Sequence, residues 1–164
     1  MDFALFHEYA GKEISMTLKI WTSFFGNYGI SKDPRAVSIA NWTPFKNVRT
    51  YPALAPSKHL LSQYRSGNWT VNKTLAEYRK QVLGPLNPLD VFMDLNRMAV
   101  NNEVVILCWC HDRRWCHRTQ VANWLKRAFK DDDVVLFEIK ELPVHPKTKH
   151  RSEKRGGASA RLSV

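Results

Sequence analysis

At 164 residues, with 44% apolar side chains and six tryptophans, the chain has the size and composition of one folded domain rather than a disordered polymer. Its formal charge of +10 suits a polyanionic partner. No apolar run approaches the roughly 20 residues needed to span a bilayer, the N-terminus lacks a basic leader, and three clustered cysteines do not make a disulfide framework, so a reducing, cytoplasmic setting without membrane contact is expected.

Residues 1–17 are read as an N-terminal extension. LKIWTSFF (18–25) alternates and is rich in strand formers, and the breakers Gly26-Asn27-Tyr28-Gly29 stop it. A short second strand is predicted at AVSIA (36–40). Three prolines within 41–56 predict an ordered, aromatic-studded loop. Ser57 is placed to cap a helix over KHLLSQYR (58–65), and TLAEYRKQVL (74–83) sets Leu75, Tyr78 and Val82 on one stripe. A third helix starts with Asn87 as cap and Pro88 at its first position.

EVVILCW (103–109) is a short run, apolar after Glu103, the pattern of a strand covered on both faces. The segment 119–130 puts Val121, Leu125, Ala128 and Phe129 on one helical face, with Lys and Arg toward its far end to suit the dipole. Asp131–Asp133 turns into a last strand, VVLFEI (134–139). Strand–helix–strand around a buried central strand predicts a single α/β domain over 18–142. It has a mainly parallel sheet with helices packed on it in Rossmann-like layers. Residues 143–164 hold six Lys and Arg against one Glu and no periodic apolar positions. They read as a disordered basic tail, either a nucleic-acid arm or a solubilising terminus.

All three cysteines fall in CWCHDRRWCHR (108–118). Cys108 closes the central strand and Cys116-His117-Arg118 opens the next helix, so the stretch lies at a strand's carboxyl end, where open α/β sheets bind ligands. Three chemistries compete there. Cys108, Cys110 and Cys116, with His111 or His117, offer enough soft donors for one tetrahedral zinc, but the one-residue spacing of Cys108 and Cys110 is not that of zinc knuckles. Cys116, in the first turn of a helix and beside Arg113, Arg114 and Arg118, suits a reactive thiolate with His117 or His111 as acid or base. Arg118, with free N–H groups of the first turn, suits an anion, to which Thr22, Ser23 and Asn27 at the first strand's end would add polar contacts. Trp109 and Trp115 offer flat faces for a base. The plain alternative is packing: Cys108 as core, Arg118 as a structural anchor.

ILCWCHDRRWCHRTQVANWL (106–125) resembles the signature of the family known as domain of unknown function 488, in which a strand ends Leu-Leu-Cys-aromatic-Glu and Cys-His-Arg opens a helix ending Ala-x-Trp-Leu. The counterparts here are Leu107-Cys108, Trp109, Cys116-His117-Arg118, Ala122, Trp124 and Leu125. Upstream, Ile20, Thr22-Ser23, Phe25, Asn27, Ser38-Ile39, Pro44, YPALAPS (51–57), Tyr78 and Leu83 match as well, so the resemblance covers about residues 18–130. The chain departs from the family's usual pattern at Cys110, which stands where Glu is usual, and in this it resembles a related set with a Cys-Trp-Cys signature. The resemblance implies an α/β fold with a pocket near Cys-His-Arg and supplies no established reaction.

The reading that follows is an anion (phosphate) pocket at the Cys-His-Arg helix start, acting on or sensing a nucleotide or nucleic acid. Cys116, His117 and Arg118 are the expected catalytic residues. Thr22, Ser23, Asn27, Cys108, Trp109 and Arg118 are the expected anion contacts. No resident cofactor is expected, zinc on Cys108, Cys110, Cys116 and His111 being the weaker reading. The alternative function is a non-catalytic nucleic-acid or protein-binding module working through its basic surface and tail.

Overall fold

A computed structural model of the chain describes residues 16–110, 115–130 and 135–146. Five strands are β1 (Met16–Phe24), β2 (Ala36–Ser38), β3 (Arg49–Thr50), β4 (Glu103–Cys108) and β5 (Val135–Glu141). They form one sheet in the order β3-β2-β4-β1-β5, every neighbouring pair parallel. The helices are α1 (Lys58–Arg65), α2 (Val71–Tyr78), α3 (Pro88–Arg97) and α4 (His117–Ala128). The expected single α/β domain with a parallel sheet is what forms. Among the described residues no helix is long and apolar enough to cross a membrane.

The side-chain alternation of the strands sorts the core into two layers. Leu18, Ile20, Val37, Ile39, Val104, Ile106 and Cys108 face the helices, meeting Leu60, Tyr78, Val91, Phe92, Leu95, Val121 and Leu125. The opposite face, with Ala36, Val105 and Leu107, is covered by Phe25, Ile30, Ala40, Phe45 and Val48 from the irregular stretches that join β1, β2 and β3. The central strand β4 is therefore buried on both faces, as its unbroken apolar run requires.

Local signals set most helix starts. The Ser57 side chain accepts from the Leu60 N–H and Asn87 from Leu89 N–H, the latter ahead of Pro88. The second helix starts three residues earlier than its apolar stripe suggests, because Thr70 caps it by accepting from Lys73 N–H. It then runs into a π-helical turn at Arg79–Leu83. Gly84 closes that turn where a Cβ would sit 2.8 Å from the Lys80 carbonyl oxygen. The two-residue strand β3 lies inside the stretch read as loop, being too short to leave a pattern. On α4 the buried face is Val121, Ala122 and Leu125; Ala128 is exposed, and Phe129 is half-buried against the Phe92 ring. β1 begins at Met16, inside the expected extension. Residues 1–15 and 147–164, and with them most of the disordered-tail expectation, lie outside the described residues.

The amino end of the sheet is pinned by charge. Arg35 grips Asp33 through Nε (3.0 Å) and Nη2 (2.8 Å) and donates Nη1 to Glu103 at the start of β4. Glu103 also accepts from Trp21 Nε1 at 3.0 Å and pairs with Lys19 at 3.5 Å. Burial alone would raise the Asp33 carboxyl, yet hydrogen bonds from Arg35 hold it below its ordinary 3.8. Arg35, then Trp21 and Lys19, hold Glu103 below its ordinary 4.5. Depressed folded-state values mean stability that is complete above the unfolded-state values and lost as pH falls through the folded ones. Urea unfolding between about pH 6 and about pH 3 should show this acid loss, with the slope reduced in Arg35→Met. Equal slopes in both proteins would remove the network from the stability balance.

Candidate functional site

Strand order places the candidate site. The connection from β1 leaves toward β2 and β3 on one side, whereas β4 continues through α4 to β5 on the other, so the adjacent carboxyl ends of β1 and β4 form a topological switch point. Phe24 pairs with Cys108 in register there, and Phe25 N–H donates to the Cys108 carbonyl at 3.2 Å.

Cys108 projects to the helix side with Ile106 and Val104, and Cys110, two residues on, packs against the same cluster. Cys116 is the N-cap of α4, in extended conformation. The three sulfurs lie within 4.8 Å of one another, Cys108 and Cys116 at 3.8 Å. The Cys110 N–H donates to Cys108 Sγ at 3.3 Å. His117 lies with Nδ1 3.5 Å from Cys110 Sγ and Nε2 3.1 Å from the Ile39 carbonyl. Arg118 donates Nη1 to Cys108 Sγ (3.1 Å) and to the Cys110 carbonyl (2.7 Å). Its Nη2 is 3.7 Å from Glu141, and its Nε has no hydrogen-bond partner. Cys108, Cys116, His117 and Arg118 are all at most 3% exposed, and Cys110 is half-buried.

The electrostatics follow from this crowding. Hydrogen bonds from Cys108 and Cys110, with Arg118 and the Thr119 N–H adding to them, hold the Cys116 thiol far below its ordinary value. Burial pushes Cys108 up to about 11, and the other two sulfurs hold Cys110 well above the ordinary thiol range. The cluster thus concentrates one negative charge on sulfur. Burial disfavours the Arg118 charge, but the Cys108 and Cys116 sulfurs outweigh it and raise its pKa. Burial lowers His117 to about 4, so its imidazole is neutral near neutral pH.

The sequence-derived residues separate into groups. Cys108, Cys110, Cys116, His117 and Arg118 meet in one centre, and its donor atoms are of the kind that hold a thiophilic metal. His111, Arg113 and Arg114 lie outside the described residues. Thr22, Ser23 and Asn27 are buried at the end of β1, where Asn27 Nδ2 donates to Ser23 Oγ and to the Pro143 carbonyl, both at 3.1 Å. Asn27 Oδ1 in turn accepts the His145 N–H at 2.9 Å. Trp115, read as a stacking face, is a correction: it is 6% exposed and packed beside Tyr64 and Tyr78, because the helix layer needs its volume. Trp109 is 50% exposed and lies flat on Trp42, itself 63% exposed, with ring centroids 5.1 Å apart and planes within 1°. Trp109 Nε1 donates to the Trp42 carbonyl at 2.9 Å, and Phe25 supports Trp109 at 4.7 Å. Trp42 was not read as a site residue; its one signal was the aromatic density of the proline-rich loop. That loop is tied down by Tyr51 OH donating to Asp94 (2.9 Å) and by the Leu54 carbonyl accepting from Tyr78 OH (2.7 Å).

Compared with known families, residues 12–128 match the one described as DUF488-N3a, the active DUF488-N3 subclade. No curated protein and no solved structure matches the chain.

Asn27→Ala should cost about 1–2 kcal/mol of folding stability, since it strips partners from the Pro143 carbonyl and the His145 N–H. Hydrogen exchange at the His145 amide should also quicken. Unchanged stability and exchange would leave Asn27 without this structural task.

Proposed function

The chain belongs to the DUF488 family, in its N3 subclade, and from that premise we propose that it acts on or senses a nucleotide or nucleic acid at the carboxyl ends of β1 and β4. The observation that carries the proposal is the exposed, parallel Trp42–Trp109 stack, which starts one residue beyond Cys108. Trp42 has one face on Trp109 and is still 63% exposed, so its other face is open to a third ring. Flat aromatic surface accepts any nucleobase, at about 1–3 kcal/mol per stacked base. A chain of +10 attracts the phosphates that come with it.

Arg118 supports an anionic group in particular. It is a buried guanidinium with Nε unpartnered, in the first turn of a twelve-residue helix whose N-terminal N–H groups favour negative charge. On this reading Arg118 takes the phosphate, and Cys116 and His117 flank it at the reacting end.

The test is titration with nucleoside monophosphates and a mixed-sequence single-stranded oligonucleotide, read by tryptophan fluorescence. Binding should quench the signal and weaken as salt rises. Trp42→Ala should lower affinity roughly 10- to 100-fold, the equivalent of one stacked base, and leave the unfolding midpoint near that of the parent because Trp42 is exposed. Absence of quenching by every ligand, or equal affinity in Trp42→Ala, would overturn the assignment.

A further inference from the structure

Four soft donor atoms converge where β4 gives way to α4. A tetrahedral zinc-type ion, with bonds of about 2.3 Å to sulfur and about 2.0 Å to nitrogen, spaces two sulfurs by about 3.8 Å and a sulfur and a nitrogen by about 3.5 Å. Two such edges are present: Cys108 Sγ to Cys116 Sγ at 3.8 Å, and Cys110 Sγ to His117 Nδ1 at 3.5 Å. All three sulfurs fall within 4.8 Å of one another, and His117 Nδ1 stands beside the Cys110 sulfur.

The imidazole is oriented for the task. Its Nε2 lies 3.1 Å from the Ile39 carbonyl, which can only accept, so the proton sits on Nε2. The lone pair is then on Nδ1, on the side of the sulfurs. Metal-binding histidines have this arrangement, the second nitrogen donating to a backbone carbonyl or a carboxylate. Charge balances as well. Three thiolates and one divalent cation leave one net negative charge, and Arg118, buried 3.1 Å from Cys108 Sγ, supplies one positive charge.

We propose that Cys108, Cys110, Cys116 and His117 bind one thiophilic divalent cation of the zinc class, with Arg118 as its buried counter-charge. With four protein ligands the site is closed and structural, the kind that contributes folding energy. It staples the end of the central strand to the first turn of α4 across the intervening loop. Binding displaces the thiol protons, three at most, to solvent, and involves no redox change. The competing arrangement is metal-free, with two thiols donating to one thiolate beside Arg118. The site does not depend on the Trp42–Trp109 stack, but it gives Cys116, His117 and Arg118 a structural task in place of the reacting and phosphate-holding tasks of the nucleotide reading.

The experiment uses the full chain purified under reducing conditions, first by elemental analysis and then after stripping with a chelator and titrating with cobalt(II). About one zinc per purified chain is expected. Cobalt should saturate at one ion per chain, with the thiolate-to-cobalt charge-transfer absorption and the visible bands of a tetrahedral site of three sulfurs and one nitrogen. Cys110→Ser, at the half-buried ligand, should keep the circular dichroism of the parent. It should lower cobalt affinity by at least the roughly 10- to 100-fold that losing even an outer-sphere partner costs. His117→Gln should weaken binding and alter the visible bands. Sub-stoichiometric zinc together with no charge-transfer band overturns the site, as does unchanged affinity in a folded Cys110→Ser. Oligonucleotide titration of the same metal-stripped and metal-loaded samples keeps the two proposals separate, since Trp42 touches none of the four ligands.

Discussion

A guanidinium buried at the end of the central strand needs an anion, and sulfur is what this chain sets beside it. Arg118 is 3% exposed, with Nη1 on Cys108 Sγ and on the Cys110 carbonyl, and Glu141, its carboxylate neighbour among the described residues, stands off at 3.7 Å. Stranding such a cation in a protein interior costs about 3–5 kcal/mol. The neighbouring sulfurs favour the pairing by taking negative charge, and Cys116, at the cap of α4 and beside two thiol donors, is the thiol held lowest. The strand end, the start of α4 and the edge of the sheet beside β1 all meet at this one ion pair. The Arg118 ring contact with Phe24 extends it to β1 itself.

The two ends of the sheet contrast in their chemistry. At the amino end, Asp33, Arg35, Glu103 and Lys19 form an ordinary surface network of carboxylates and bases, partly open to water and screened by it. At the carboxyl end, among the described residues, the guanidinium of Arg118 is buried, and the polar partners are sulfur, imidazole and backbone carbonyls. Cys110 shows how the family departure fits in. Its carbonyl holds Arg118, a contact that any residue at that position can make, whereas its sulfur adds the third thiol and the neighbour of His117. Replacing the family's usual Glu by Cys thus keeps the backbone grip on Arg118 and changes only what the side chain brings to the centre.

Above that closed centre the surface opens on aromatic rings. Trp109 follows Cys108 just past the end of β4, on the side of the Phe25 ring, and there it is half in solvent. Trp42 comes to it from the loop after β2 and caps it, its carbonyl accepting the Trp109 N–H. A buried polar centre beneath an exposed flat surface, at a switch point of a parallel sheet, is the arrangement on which the nucleotide proposal rests.

The sequence by itself determined the elements and their order. The apolar run that follows Glu103 read as a strand covered twice, Ser57 and Asn87 marked helix starts, and Cys-His-Arg marked the opening of the last helix, because periodicity and capping act within a few residues. It also brought the cysteines to one strand end, so the location of the candidate site was legible. What it left open were contacts between residues far apart in the chain. Trp115 and Trp109 have the same composition signal, yet one is core and the other surface, because only the helix layer decides which ring is covered. Asn27 read as a ligand contact, and the pattern gave no sign that its amide holds the chain 116 and 118 residues away. The choice of His117 as neighbour of the sulfurs rests on the Ile39 carbonyl, 78 residues off, which orients the ring. Such pairings depend on the sheet order β3-β2-β4-β1-β5, and no local pattern encodes which strand ends will lie side by side.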